Sequence, residues 1–405
     1  MSADLDIRAA LQKEFAPILP RLKKGATVAI GAGSRGISNI AEIVRAVVEI
    51  LRGAGAKPFI FPAMGSHGGA TPEGQTEVLA SYGITESSMG APIRAAMEVR
   101  EIGIAECGAR VFGSVAALEA DHIILVNRIK PHTDFFGSLG SGLVKMSVIG
   151  LGKKIGAESM HGAASRLGHE RVIRGMARVA LTKAPVLCGV AILEDQRHQT
   201  AAIEVIPAQE IEARERPLLE RARELMPRLP FEEIDLLIVD RIGKNISGAG
   251  LDPNVIGRGV NGYLSSLARE GRSAPFIRRI FVRDLTPETH GNGIGIGMAD
   301  ITTARLVKGI DLRITYTNAL TALTPQGAKI PIYFETDREC IERSLASLAI
   351  EDTLAARVVR ISDTLNLQTM EISQSLGGEL HDGLIIESAF EGMRFDANGN
   401  LTSGK

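Results

Sequence analysis

The sequence predicts an α/β protein of two domains, the first built on a mainly parallel sheet with flanking helices and the second also α/β. Two observations carry this. Short apolar, β-branched runs alternate with amphipathic helical stretches through the N-terminal half, which is the pattern of strands covered by crossover helices. The chain also has 405 residues, 45% of them apolar and 23% charged, enough for two cores of ordinary globular composition.

The elements follow in order. Thr27–Ile30 reads as a strand, and behind it Ile37, Ile40, Val44, Val47 and Leu51 fall on one helical face that stops at Gly53. Phe59–Pro62 is a second strand, leading into the loop "AMGSHGGATPEG". Thr71 as N-cap and Pro72 at the first helical position then start a helix that ends near Gly83. His122–Asn127 is a further buried strand, followed by "RIKPHTDFFGSLGSGLVKM". Residues 208–226 form a charged helical stretch, read as interrupted by Pro217 and closed by Pro227 and Pro230. The junction is placed there, giving domains 1–228 and 229–405. The second domain is expected to hold strands at Ile234–Val239, Ile277–Val282 and Ile310–Tyr316, with helices after 336 and the active site in the cleft between the domains. No internal repeat is present.

Composition excludes several classes. A net charge of −1 and the absence of tryptophan argue against a nucleic-acid binder. The most apolar long stretch, Met176–Leu193, contains Arg178, Lys183 and Pro185 and does not read as a bilayer span. Cys107, Cys188 and Cys340 lie far apart and read as buried thiols of a reducing compartment, so a cytoplasmic location is expected.

The first loop, Gly31-Ala32-Gly33-Ser34-Arg35-Gly36, matches the glycine pattern of a dinucleotide fold. That reading also needs a carboxylate after the second strand to bind ribose, and Pro62–His67 offers none. The Tyr-x-x-x-Lys pair of short-chain dehydrogenases is missing as well, because no tyrosine has a lysine four residues on. What remains is Arg35 at a strand end where open α/β sheets bind ligands, either as an anion contact or as an ordinary turn residue. Three of the eight histidines occupy distinctive places: His67 in "GSHGG", His132 in "KPHTDFFG" and His161 in "ESMHGAA". Strand ends of one sheet share an edge, so His67 and His132 could face one cleft as an acid/base pair. Lys145, alone in a glycine-rich apolar stretch, suits a covalent anchor or a point charge on phosphate.

These residues together resemble the nickel-pincer-nucleotide lactate racemase family of 2-hydroxy-acid racemases and epimerases. The resemblance covers roughly 27–200 and continues less clearly to about 262. It rests on Arg35, His67, Pro131-His132, Ser141-Gly142 with Lys145, and His161, in the family's order. It implies that Lys145 tethers the cofactor, a pyridinium-3-thioamide-5-thiocarboxylic acid mononucleotide, and that His161 ligates its nickel, a metal that imidazole suits. It further implies that His67 and His132 flank the substrate as catalytic acid and base, and that Arg35 binds its carboxylate. Proteins that build the cofactor are implied partners, and a homo-oligomer is compatible with the reading.

Two departures bear on the substrate. Ala32 stands where the family has an acid three positions before the arginine, and the stretch 243–262 lacks the family's Gln-x-x-Lys pair. It offers Lys244, Asn245, Asn254 and Arg258 instead, which points to a 2-hydroxy acid other than lactate. A metal-dependent lyase or dehydratase using a histidine base, and an inactive solute-binding homologue, are the competing readings.

Overall fold

A computed structural model describes residues 5–33, 36–132, 137–259, 275–322, 324–380 and 383–402. The chain divides into two compact units, one ending at Met226 and the other beginning at Pro227.

The first unit contains strands β1 (Thr27–Ala32), β2 (Lys57–Pro62), β3 (Val99–Ile104), β4 (Arg110–Ser114), β5 (His122–Arg128), β6 (Val186–Glu194) and β7 (Thr200–Pro207). Five of these form one sheet in the order β2-β1-β5-β6-β7, and β3 and β4 form a separate antiparallel hairpin. Within the sheet β2, β1, β5 and β6 run parallel, and only the edge strand β7 is antiparallel. Register places Ile30 beside both Ile60 and Ile124 at the sheet centre.

Both faces are covered, which is why the strands are apolar throughout rather than alternating. Val28, Ile30 and Ala32 pack on one side with the helices Ile7–Phe15 and Ile40–Gly53. Ala29 turns to the other side, where the core is completed from the helices Leu151–Leu167, His169–Lys183 and Ile211–Leu225. The helix Ile40–Gly53 buries Ile40, Ile43, Val44, Val47 and Leu51 along one stripe, as expected from their spacing. Thr71 caps the helix Pro72–Ser81 by accepting from the Gly74 amide at 3.1 Å.

The second unit contains β8 (Glu233–Ile242), β9 (Phe276–Leu285), β10 (Ile301–Thr303), β11 (Ile332–Phe334), β12 (Val358–Ile361) and β13 (Glu371–Ile372), ordered β11-β10-β9-β8-β12-β13. All are parallel except the edge strand β13. The protein is therefore mixed α/β, with parallel-rich sheets and flanking helices in both units.

Three expectations are corrected. Ile310–Tyr316 is not a strand: Asp311 accepts from the Ile314 amide and starts the helix Leu312–Thr321, which buries Thr315 and Ala319 four residues apart. The β-branched run suggested a strand, but the cap and that buried stripe prevail. Pro217 does not interrupt its helix, which runs from Ile211 to Leu225. Pro217 is on the exposed side, where water can take the hydrogen bond that proline cannot supply. Cys107 is only half-buried, whereas Cys188 and Cys340 are fully buried and burial pushes both thiols up to about 12. No helix among the described residues is long and apolar enough to cross a membrane.

Candidate active site

Sheet order defines where a ligand would sit in the first unit. The chain leaves β1 on one side for β2 and later returns to its other side for β5. Strand order reverses at β1, and open α/β sheets form their binding crevice outside the carboxyl ends of the strands at such a point. The loops after β1, β2 and β5 all leave from that edge, and they carry Arg35, His67 and His132. Arg35 lies outside the described residues.

The loop after β5 closes on itself. Lys130 and Ser141 exchange backbone hydrogen bonds of 2.9 and 2.7 Å, pinning the two ends of the segment that contains His132. The approach needs glycine at 140, where a Cβ would stand 2.3 Å from the Lys130 carbonyl oxygen. Asn127 at the end of β5 donates to the Gly142 carbonyl at 2.9 Å. A helical turn, Leu143–Lys145, starts directly afterwards and continues as a π-helical segment, Met146–Gly150. This places the Lys145 Nζ 2.6 Å from the His132 Nε2, with both side chains only partly buried. An ammonium there would donate to an unprotonated imidazole nitrogen.

Glu215, fully buried on the helix Ile211–Leu225, accepts from the Val144 amide at 2.8 Å and so caps the turn that carries Lys145. Burial pushes its carboxyl up to about 7, against the opposing pull of the Val144 and Leu143 amides. Glycine is again required next to it, since a Cβ on Gly142 would lie 2.4 Å from the Glu215 Oε1.

The loop after β2 is held differently. His67 is followed by Gly68, Gly69 and Ala70 with φ of +60°, +63° and +57°, a left-handed run in which the two glycines carry no Cβ penalty and Ala70 does. The His67 side chain is exposed. The helical run from Lys145 crosses this edge: a Cβ on Gly150 would stand 2.9 Å from the Ala63 oxygen, and one on Gly65 would stand 3.3 Å from Ile149.

His161 is exposed on the helix Leu151–Leu167, its ring centroid 6.3 Å from that of His169. It follows Lys145 by 16 residues. In an uninterrupted helix that interval would span about 24 Å. The run is not uninterrupted, because Lys153 has φ +55° and ψ −153°.

Glu194 at the end of β6 has no local signal in the sequence. It pairs with Arg128 and accepts from the Ser38 amide at 2.7 Å, anchoring the loop that follows β1. Glu215 and Gln75, both fully buried, likewise carry no local signal. For Lys153 the signal was present, since it too is a lysine in a glycine-rich apolar stretch.

The four residues singled out in the second unit have partners there among the described residues. Lys244 donates to the Gly248 oxygen at 2.8 Å, and the Asn245 Oδ1 accepts from Thr286 at 2.6 Å. The Asn254 amide reaches Asp252 at 3.0 Å. Arg258 is buried, pairs with Asp300 at 2.8 Å and donates to the carbonyls of Met298 and Ile277. Residues 260–262 of that stretch lie outside the described residues.

Among solved structures, lactate racemase apoprotein from Thermoanaerobacterium thermosaccharolyticum matches with a TM-score of 0.53 and 16% identity, over 90% of this chain and 92% of that one. The fold is that of lactate racemase. A Thermotoga maritima protein solved by structural genomics matches with a TM-score of 0.49 and 11% identity, over 70% of this chain and 72% of that one. No protein-family model matches the chain, and no curated protein matches it.

Proposed function

We propose that the protein is a racemase or epimerase that inverts C2 of a 2-hydroxy acid, using a nickel-pincer nucleotide tethered to Lys145. One observation carries the proposal: the 2.6 Å contact between Lys145 and His132 beside the switch point of a sheet with the lactate racemase fold. A tethering amine must reach the crevice and lie beside an acid/base group, and Lys145 is partly exposed next to an imidazole.

The partly exposed Lys145 amine beside His132 supports the choice of that group. Lys145 would hold it covalently and His161 would supply its single protein imidazole to nickel. When bound, it supplies a carbon that accepts hydride. No three His, Cys, Asp or Glu side chains cluster as a metal site among the described residues, and a metal carried by its own pincer with one histidine does not call for such a cluster. His67 and His132 would exchange the hydroxyl proton, each acting as base for one enantiomer. Arg35 would bind the substrate carboxylate through its planar fork. The substrate is proposed to be a 2-hydroxy acid other than lactate.

The test is co-expression with cofactor-making proteins and nickel, intact mass, and turnover of 2-hydroxy acids deuterated at C2. The expected result is a mass adduct lost in Lys145→Ala, with product that keeps its deuterium in H₂O. Washout of deuterium during inversion would instead support proton abstraction by a histidine, the route of a lyase or dehydratase.

A further inference from the structure

Lys153 is the anomaly of the first unit. Its side chain is 1% exposed, yet its backbone sits at φ +55°, ψ −153°, a region that residues with a Cβ rarely occupy. A buried ammonium in a strained backbone costs stability twice over, so the surroundings must hold it there. Its Nζ donates to the Pro62 carbonyl and to the Gln75 Oε1, both at 2.7 Å and both neutral oxygens. Burial lowers its pKa to about 8, with the charge of Glu98 acting in the opposite direction.

Gln75 is itself fully buried on the helix Pro72–Ser81, and Lys153 fixes which end of its amide points where. With its oxygen turned to the ammonium, the amide nitrogen faces the loop after β2. It lies 3.3 Å from the Met64 oxygen, 3.0 Å from the Gly65 oxygen and 3.4 Å from the His67 oxygen. Together the two side chains reach the main-chain oxygens of Pro62, Met64, Gly65 and His67. The backbones also lie close, since a Cβ on Gly65 would meet Ile149 at 3.3 Å and Ala157 at 3.4 Å. The same lysine that breaks the helical run between Lys145 and His161 thus binds the histidine loop to that run.

We propose that Lys153 and Gln75 are positioning residues that set the His67 imidazole relative to the Lys145 segment. The catalytic part of this inference rests on the proposed racemase function, whereas the clamp itself does not.

The test uses full-length protein with ¹³Cε1-labelled histidine. The His67 resonance is assigned by its loss in His67→Gln. Lys153→Met removes the ammonium. Gln75→Glu keeps an oxygen for Lys153 but removes the donors to the loop, and serves alone should Lys153→Met not fold. Each variant should shift the His67 resonance and its titration midpoint while leaving His198 and His290 in place. In cofactor-loaded protein each should lower kcat at least tenfold, with KM and the Lys145 adduct mass little changed.

An unmoved His67 resonance, or equal shifts at every histidine, would overturn the clamp. A shifted His67 with unchanged kcat in an active enzyme would overturn the positioning role. If the unsubstituted protein inverts no 2-hydroxy acid while His67 alone shifts, the racemase reading fails and the clamp stands.

Discussion

The two units differ in strand order but each has one point where that order reverses, and the side chains at the two points differ. In each, the chain leaves the first strand in one direction and returns to its other side, so strand order reverses at β1 in one and at β8 in the other. At the β1 edge the structure presents a lysine against a histidine and a left-handed histidine loop. At the β8 edge the loops bond to each other: the Arg241 amide donates to the Ser362 oxygen at 2.9 Å and the Asp252 amide to Thr364 at 3.0 Å. Several buried charges of the second unit pair with one another. Asp337, fully buried, accepts from Arg283 and Arg305, while Arg283 and Arg360 share Asp240. A reversal point marks where a site can form, and the side chains placed there set what chemistry it could carry.

The sharpest way to break this comparison is to remove one group from each edge. Lys145→Ala should eliminate the covalent adduct and all inversion while leaving thermal unfolding within a few degrees of the parent. Retained activity with nickel bound would end the anchoring role. Asp337→Ala should do the reverse, costing about 3–5 kcal/mol because two arginines and the Leu401 amide lose a buried partner. Chemical denaturation reads that loss, and an unchanged midpoint would mean the arginine cluster is not structural.

Next in size are His67→Ala and His132→Ala, each expected to slow inversion by about 10²-fold or more, since each enantiomer needs its own base. Steady-state rates from both enantiomers decide it, and a near-normal rate in either variant would dissolve the pair. His161→Ala should release nickel more readily while keeping the adduct on Lys145. Unchanged metal content would transfer the ligand role elsewhere, with His169 the neighbour to try first.

The smallest effect concerns Glu215. Its folded pKa of about 7 lies above the ordinary 4.5, so the folded state binds the extra proton between those values. The stability this gives is complete below about pH 4.5 and is lost as pH rises through about 7. Glu215→Gln should therefore flatten the fall in melting temperature between pH 5 and 8. Parallel melting curves for parent and variant would show that the carboxyl is not the titrating group.

Much of the architecture was legible in the chain. The strands at 27, 59, 122, 234 and 277 and the capped helix at Thr71 are written in local patterns, because strand burial and helix capping depend on a few adjacent residues. The run at 310–316 misled for the same reason: its β-branched residues describe local preference, and burial of Thr315 and Ala319 overrode it.

The sequence alone determined the α/β class and nominated His67, His132, Lys145 and His161, since histidines and lysines among glycines have little to pack against. Only the tertiary structure decided that His132 meets Lys145 and that Glu215 caps the turn carrying Lys145. It alone showed that Lys153 and Gln75 hold the His67 loop and that Arg258 serves the second unit's interior. The pairs His132–Lys145, Val144–Glu215, Gln75–Lys153 and Arg258–Met298 lie 13, 71, 78 and 40 positions apart in the chain. Contacts of that kind are set by how strands order and helices cross, which no local spacing encodes.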